Sequence, residues 1–350
     1  MPTRLTTTLR SVGRRGPPRL GLNSGVVRSL ALVLVASCSS PPTPLDAPRT
    51  PWVEGPELPG PRLEPGVAAL GQQLVVLGGF DQNVVQGLRI TSDVVAFDPV
   101  AQTWSNLRSA PVAWTHVNLA ASSATLFLLG GQETQQFIAK GESYALDTDQ
   151  MNAQWRPLAP MPLGQERGAA GVVIAPPHVY LIGGSSSTAA VATCLDYDFS
   201  SDTWTMLPSL PAPRSHPAVM RRADGTLIVA GGLSTLDARD AVADVWALSP
   251  GATMWTPRTP MPTARGGCAY GVQLGQFVCA GGESGQAALS VVETYDPTND
   301  RWTAQPAMPD SRAGTQGAVI ANRLYVPGGA RVLAFNPESS LYVFSLLDTF

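Results

Sequence analysis

The chain has 350 residues, with 23 basic and 26 acidic side chains and a formal net charge of −3. Glycine and proline are frequent, at 34 and 32 residues, but 44% of the residues are hydrophobic, which excludes a disordered chain and indicates a turn-rich globular protein. Six of the arginines and no acidic residue lie in residues 1–37. The rest of the chain has 17 basic and 26 acidic residues and thus a formal charge of −9. This acidic balance argues against nucleic acid as a partner.

The N-terminal segment has the features of an export signal. Arg28 precedes a short apolar run and then the small residues Ser37 and Cys38. The run is too short to span a bilayer, which needs about 20 residues. Residues 35–38, Val-Ala-Ser-Cys, resemble a bacterial lipobox, and this resemblance implies an exported protein whose acylated Cys38 holds it at the cell envelope. The alternative is an ordinary cleaved signal peptide in which the cysteine is coincidental.

Three segments are therefore expected. Residues 1–37 form the signal peptide, and residues 38–51, rich in proline, form an extended tether that begins with the lipidated Cys38. Residues 52–350 form one folded domain, because a single repeat runs through all of them.

The repeat is marked by pairs of glycines that each end an apolar run, as in LVVLGG and VYLIGG. The pairs follow one another at intervals of 47 to 53 residues and begin at Gly78, Gly130, Gly183, Gly231, Gly281 and Gly328. A glycine weakens a strand interior, so its recurrence predicts close backbone contacts and sharp turns at these positions.

Each unit continues in the same way after its glycines. A strand with an aromatic residue or leucine is followed by a turn and then by a tryptophan, at positions 104, 155, 204, 255 and 302. Next come a turn of the MP-x-x-R type, a strand of small residues and the apolar run that leads to the next glycines. This pattern predicts four short antiparallel strands per unit of about 50 residues, as in a propeller blade.

These residues resemble the Kelch family, through the glycine pair, the aromatic strand, the tryptophan and the MP-x-x-R turn. The resemblance covers residues 52–350 and implies an all-β, six-bladed β-propeller of four-stranded antiparallel blades. The tryptophans are expected in the core between blades, with each indole N–H bonded to backbone, although carbohydrate stacking is an alternative.

Two segments compete to close the ring. Trp52 precedes Gly78 by the same 26 residues that separate Trp302 from Gly328, which places residues near Trp52 in the fourth strand of the last blade. Residues 332–347 also match a third and fourth strand, with Tyr342 at the tryptophan position. Both cannot fill one place in the sheet, and closure by the N-terminal strand is favoured.

One face of the propeller is predicted to bind a ligand. The arginines of the MP-x-x-R turns and the residues after each glycine pair should converge on one opening, because the first two strands of each blade are antiparallel. Arginines could bind carboxylates there, or each could instead hold its own turn by a local hydrogen bond. The candidate ligand-binding residues are Arg62, His116, Arg167, Arg214, Arg265, Arg312, Asp81, Glu133 and Glu283, with Gln132, Ser185 and Ser284 nearby, and His116 is taken to replace a missing arginine.

Signatures of catalysis are scarce. The three histidines show no HExxH spacing, no GxSxG motif occurs, and His216 is interpreted as structural rather than as a metal ligand. We therefore expect no metal, no cofactor and no catalytic residue. Cys194, Cys268 and Cys279 are interpreted as buried thiols, with a disulfide between Cys268 and Cys279 as the alternative.

The sequence thus favours a non-enzymatic, envelope-tethered propeller that binds a protein or glycan, including anionic ones, through its arginine-bearing face. The alternative is a sugar mutarotase or epimerase that acts on an acidic sugar with a rim arginine and a rim glutamate, for which Glu133, Glu166 and Glu283 are candidates.

Overall fold

The computed structural model describes residues 50–82, 87–285 and 287–346. The predicted signal peptide, the lipidated Cys38 and the tether up to residue 49 lie outside the described residues. Across the described part, the strands form six four-stranded sheets and one short two-stranded ribbon. Among the described residues, no helix is long and apolar enough to cross a membrane.

Each sheet is antiparallel and joins strands that follow one another in the chain, apart from the fifth sheet, which is interrupted by a short ribbon, and the sheet that closes the ring. Blades 1 to 3 contain β2 (Gly66–Leu70), β3 (Gln73–Leu77), β4 (Val94–Asp98) and β5 (Thr103–Asn106); β6 (Leu119–Ser122), β7 (Thr125–Glu133), β8 (Ile138–Asp147) and β9 (Arg156–Leu158); and β10 (Gly171–Ala175), β11 (His178–Ile182), β12 (Cys194–Asp198) and β13 (Thr203–Leu207).

The other three blades repeat this order, with an inserted ribbon in the fifth and a strand from the N-terminal side in the sixth. Blades 4 to 6 contain β14 (Ala218–Arg221), β15 (Leu227–Ala230), β16 (Val245–Leu248) and β17 (Thr256–Arg258); β18 (Ala269–Gln273), β19 (Gln276–Ala280), β22 (Val292–Asp296) and β23 (Arg301–Gln305), with the ribbon β20 (Glu283–Ser284) and β21 (Ala287–Ala288); and β24 (Ala318–Ile320), β25 (Arg323–Pro327), β26 (Leu341–Phe344) and β1 (Trp52–Gly55). The six-bladed all-β propeller is thereby confirmed.

The N-terminal strand closes the ring. Strand β1 is the fourth strand of the last sheet, where Trp52 pairs with Phe344 and Glu54 with Tyr342. Tyr342 therefore lies in the third strand, so its alignment with the tryptophan position was wrong and Trp52 holds that position. An edge of the last sheet is covered by residues from the start of the domain, which fastens the first and last blades together.

The glycine pairs lie where neighbouring blades meet. Gly183 has a φ of +62°, and a Cβ atom there would lie 2.5 Å from the carbonyl oxygen of Arg214 in the next blade. Gly78 has the same relation to the carbonyl of Trp114, at 2.4 Å. Since a side chain would meet backbone atoms at these positions, the packing role predicted for the glycine pairs is confirmed.

The tryptophans join successive blades through one recurring hydrogen bond. Each indole N–H donates to a backbone carbonyl of the blade before it, at 2.9–3.1 Å, in the pairs Trp52 to Pro306, Trp104 to Pro56, Trp155 to Arg108, Trp204 to Ala159, Trp255 to Pro208 and Trp302 to Thr259. The predicted bond between indole and backbone is confirmed in every blade.

The three described cysteines, Cys194, Cys268 and Cys279, are buried free thiols. Their interpretation as small hydrophobic residues of the core is confirmed. Cys268 and Cys279 pack in one apolar cluster with Phe277 and Tyr295.

Candidate functional site

Six backbone segments meet around the axis of the propeller and form what we call the central ring. Its members are Glu64, His116, Ala169, His216, Gly267 and Gly314, one from the start of each blade. All six have left-handed backbone conformations, with φ between 50° and 65°. Each of the first five donates its N–H to the carbonyl of the ring member in the blade before it, at 2.7–2.9 Å.

Three members of the central ring carry titratable side chains that converge on the axis. The Nε2 atom of His116 lies 3.7 Å from Oε2 of Glu64, and that of His216 lies 3.8 Å from the same oxygen. The two imidazole rings meet edge to face, with centroids 5.1 Å apart. All three side chains are at least four-fifths buried. We call them the Glu64–His116–His216 cluster.

Hydroxyl groups fix the orientation of both imidazoles. The Thr115 hydroxyl donates to the carbonyl of Glu64 and lies 3.2 Å from Nδ1 of His116. The Ser215 hydroxyl likewise donates to the carbonyl of Thr235 and lies 3.3 Å from Nδ1 of His216. Because each hydroxyl uses its proton on a carbonyl, it accepts the Nδ1–H of its histidine. Both Nε2 lone pairs therefore face the carboxyl group of Glu64.

Burial keeps this cluster uncharged. Desolvation, with a further contribution from the Glu283 carboxylate, raises the pKa of Glu64 to about 8. Desolvation lowers the pKa of His216 to about 4, and desolvation together with His216 lowers the pKa of His116 well below its usual value. Neutral imidazoles and a carboxyl group that is costly to ionise therefore lie side by side at the axis.

A cavity of about 280 Å³ opens above the cluster on the side of the loops that follow the glycine pairs. Its polar lining residues, which we call the floor, are Glu64, His116, Gln132, Ser185, His216 and Glu283. Its larger apolar lining residues include Leu63, Phe137, Leu236, Val332, Leu333 and Phe335, and we call this set the wall. We call this cavity the mouth. The residues that directly follow five of the six glycine pairs line it, as the strand order predicted, namely Gln132, Ser185, Leu233, Glu283 and Ala330.

The arginines of the MP-x-x-R turns do not line the mouth among the described residues. Their guanidinium groups bond within their own blades, and Arg62, Arg167, Arg214, Arg265 and Arg312 are each at most 4% exposed. Each guanidinium bonds to the start of the third strand of its own blade, as Arg265 does to Glu293 at 2.7 Å and Arg214 to Asp244 at 2.7 Å. This geometry favours the local hydrogen-bonding interpretation over an arginine-bearing ligand face.

His116 does not occupy the position of a missing arginine. The carbonyl of Trp114 bonds to the N–H of Gly79 just as the carbonyls of Arg214 and Arg265 bond to Gly184 and Gly232. Trp114 therefore stands at the arginine position of blade 2, and His116 follows it by two residues. His116 therefore belongs to the central ring and not to the set of residues at the arginine position.

The remaining predicted residues divide between the mouth and its surroundings. Glu283 lies on the floor, where desolvation and then Asp237 raise its pKa to about 7. Asp81 is buried and paired with Arg89, at 2.5 Å, and Glu133 is paired with Lys140, at 2.8 Å, and neither is a lining residue of the mouth. Of the predicted charged candidates, only His116 and Glu283 reach the cavity.

Glu64 was missed by sequence reasoning, and His216 was interpreted as structural. The signal that could have identified them is positional: both follow a repeat arginine by two residues, Arg62 and Arg214. In blades 3, 5 and 6 the same position holds Ala169, Gly267 and Gly314, so large polar side chains there are exceptions within the repeat.

Comparison with known families adds to this geometry. The family model described as the KLHDC2/KLHL20/DRC7 Kelch-repeats domain matches residues 114–329, and the Kelch motif matches residues 61–111. The chain belongs to the Kelch-repeat family. These two matches together cover the five blades that begin with β2, β6, β10, β14 and β18 and much of the sixth.

Several Kelch-like proteins are similar in sequence. Kelch-like protein terF of Aspergillus terreus (strain NIH 2624 / FGSC A1156) is 29% identical over 289 residues, which are 78% of this chain and 62% of that protein. Kelch-like protein 36 of Bos taurus is 25% identical over 283 residues, 79% of this chain and 45% of the relative. Kelch-like protein 34 of Homo sapiens is 25% identical over 255 residues, 69% and 39% respectively. The chain thus spans about half the length of these relatives.

The mutarotase or epimerase alternative gains no support from these comparisons or from the site. It required a desolvated glutamate within reach of a rim arginine. Glu64 is desolvated, but its titratable neighbours in the cluster are histidines, and the mouth has no arginine among its described lining residues.

Proposed function

We propose that this Kelch propeller is a binding module that takes up a peptide segment of another protein in the mouth. Kelch propellers commonly bind proteins, and the fold and family of this chain support the same role. The observation that carries the proposal is the combination of an apolar wall and a polar floor in one cavity at the axis.

The wall of the mouth offers apolar contact area that the fold does not use. Leu236, Val332 and Leu333 are 48%, 56% and 38% exposed, although each lines the cavity. Exposed apolar residues around a concave site are typical of protein interaction surfaces. The aromatic rings of Phe137 and Phe335, which both belong to the wall, are stacked on each other and add aromatic contact area.

The floor favours a ligand that donates hydrogen bonds. Its acidic groups are Glu64 and Glu283, and no lysine or arginine is among its described lining residues. Because burial keeps Glu64 uncharged, Glu283 is the acidic group that a lysine, arginine or amide N–H of an otherwise apolar segment would meet. This lining fits such a segment better than the anionic ligand that the arginines suggested. The formal charge of −9 on the chain outside residues 1–37 also attracts basic ligands at long range.

We expect the double variant Leu236→Asp, Val332→Asp to lose at least tenfold in affinity for peptides selected on the purified protein from a random displayed library. A tenfold loss corresponds to about 1.4 kcal/mol, which is typical of removing one apolar contact from an interface. The selected peptides should be rich in apolar and basic residues. Affinity is measured by isothermal titration calorimetry, with the melting temperature of each variant recorded beside it.

Met206→Asp is the matched control, because Met206 is 50% exposed on the outer strand β13, away from the mouth. It should leave affinity unchanged. Equal affinity in the wild type and the double variant, or selection of peptides that bind only outside the mouth, would refute the peptide-binding role. Binding of acidic glycans in competition with the selected peptides would instead assign the mouth to a glycan.

We further propose that the propeller is tethered to a membrane surface through Cys38. Two sequence features support this proposal: the lipobox-like Val-Ala-Ser-Cys at residues 35–38, and the proline-rich segment that follows it in the chain. Cys38→Ser expressed in a bacterial host should move the protein from the membrane fraction to the soluble exported fraction without lowering its melting temperature. A variant that stays in the membrane fraction would contradict acylation at this position.

A further inference from the structure

The Glu64–His116–His216 cluster has the composition of a metal site. Its donor atoms, one carboxylate oxygen and two imidazole Nε2 atoms, all lie within 4.8 Å of one another. Donors bound to one Zn²⁺ at about 2.0–2.2 Å are separated by roughly 3.3 Å in a tetrahedral arrangement. The observed separations between Glu64 and the two histidines are 3.7 and 3.8 Å. Small changes in side-chain torsion would shorten them to that value.

The cluster has lone pairs that nothing in the described part of the chain uses. Nε2 of His216 is buried and has no hydrogen-bond partner among the described residues. The separations between Nε2 and the Glu64 oxygen exceed the length of a hydrogen bond, so a carboxyl proton is not shared there either. Buried imidazole lone pairs without a partner are unfavourable, and a cation bound between them and the carboxylate would satisfy all three groups.

Neighbouring hydroxyl groups and backbone hydrogen bonds orient the three donors, as such groups do in protein metal sites. The Thr115 and Ser215 hydroxyls accept the Nδ1–H of His116 and His216, which selects the neutral Nδ1–H tautomer and leaves the Nε2 lone pair free to bind a metal. The backbone of all three donors belongs to the central ring, whose bonds between blades fix their positions.

We propose that Glu64, His116 and His216 bind one divalent transition metal ion at the axis of the propeller. Two nitrogens and one carboxylate oxygen suit zinc, cobalt or iron(II) better than calcium or magnesium, which take oxygen ligands. Three protein ligands leave a coordination position open. The cluster borders the mouth on one side and a smaller cavity, lined by Tyr270 and Gln316, on the other, so a water or a ligand group completes the coordination.

Cobalt(II) provides the test, because its visible absorption reports coordination number directly. The purified protein is treated with a chelator and titrated with Co²⁺, and Zn²⁺ binding is measured by calorimetry. We expect one ion per chain, ligand-field bands of a four- or five-coordinate ion, and a rise in melting temperature on addition of Zn²⁺. His216→Ala should weaken binding at least 100-fold and abolish that rise, and Glu64→Gln should weaken it at least tenfold.

His178→Ala is the matched control. His178 also faces a carboxylate, Asp196, at 3.0 Å, but on strands β11 and β12 and without a third ligand in the described residues. Its variant should bind one ion as tightly as the wild type. Absence of cobalt bands in the wild type, or equal affinity in the His216→Ala variant, overturns the proposal. Peptide binding that depends on Leu236 and Val332 is measured separately, so either result can fail without the other.

Discussion

Gly183→Val is expected to lower the free energy of unfolding by about 2–6 kcal/mol. A β-branched residue in a left-handed conformation costs about 1–3 kcal/mol, and φ at Gly183 is +62°. The new Cβ atom also meets the carbonyl oxygen of Arg214 at 2.5 Å, which forces blades 3 and 4 apart. Overpacking of this kind adds about 1–3 kcal/mol. Chemical denaturation of the wild type and the variant gives the difference.

Gly71→Val separates the two causes. Gly71 has a similar φ of +58°, but a Cβ atom there would meet nothing within 4 Å. Its variant should lose only the backbone contribution, about 1–3 kcal/mol. If both variants lose the same stability, close packing of blades is not the reason for the repeated glycine pairs.

Most of the fold could be predicted because each blade repeats the same chemistry. The glycine pair, the aromatic strand and the tryptophan recur at fixed offsets, and each corresponds to a local contact between neighbouring blades. The identity of the closing strand was harder to predict, because Trp52 and Tyr342 both fit the tryptophan position of the fourth strand. Only the pairing of Trp52 with Phe344 places β1 outside β26.

The candidate site was predicted less well because its geometry depends on the axis of the whole ring. Sequence position brings Arg265 to the start of its blade, but the direction of its side chain is decided by Glu293, which lies 28 residues later. Conversely, Glu64 and His216 are 152 residues apart in the chain, and their proximity follows only from the closure of six blades around one axis. A repeat pattern predicts where backbones meet, and it does not by itself predict which side chains turn inward.

Glu293→Leu is expected to destabilise the protein by about 3–5 kcal/mol. The variant leaves the Arg265 guanidinium, whose side chain is 0% exposed, without its carboxylate at 2.7 Å. Removal of one partner from a buried ion pair costs this much because the remaining charge is neither solvated nor paired. The bond from the Thr263 hydroxyl to the same carboxylate is lost as well.

The double variant Arg265→Met, Glu293→Leu should recover most of that stability, to within about 1–2 kcal/mol of the wild type, because the two apolar side chains fill similar volume without buried charge. Asp237→Ala is the exposed control: its partner Arg239 is 66% exposed, so loss of that ion pair should change stability by less than about 1 kcal/mol. Denaturation of these four proteins and of the single variant Arg265→Met decides whether Arg265 is structural. Should Glu293→Leu and Arg265→Met leave stability unchanged while the latter weakens binding of an anionic ligand, the arginine would belong to a binding face after all.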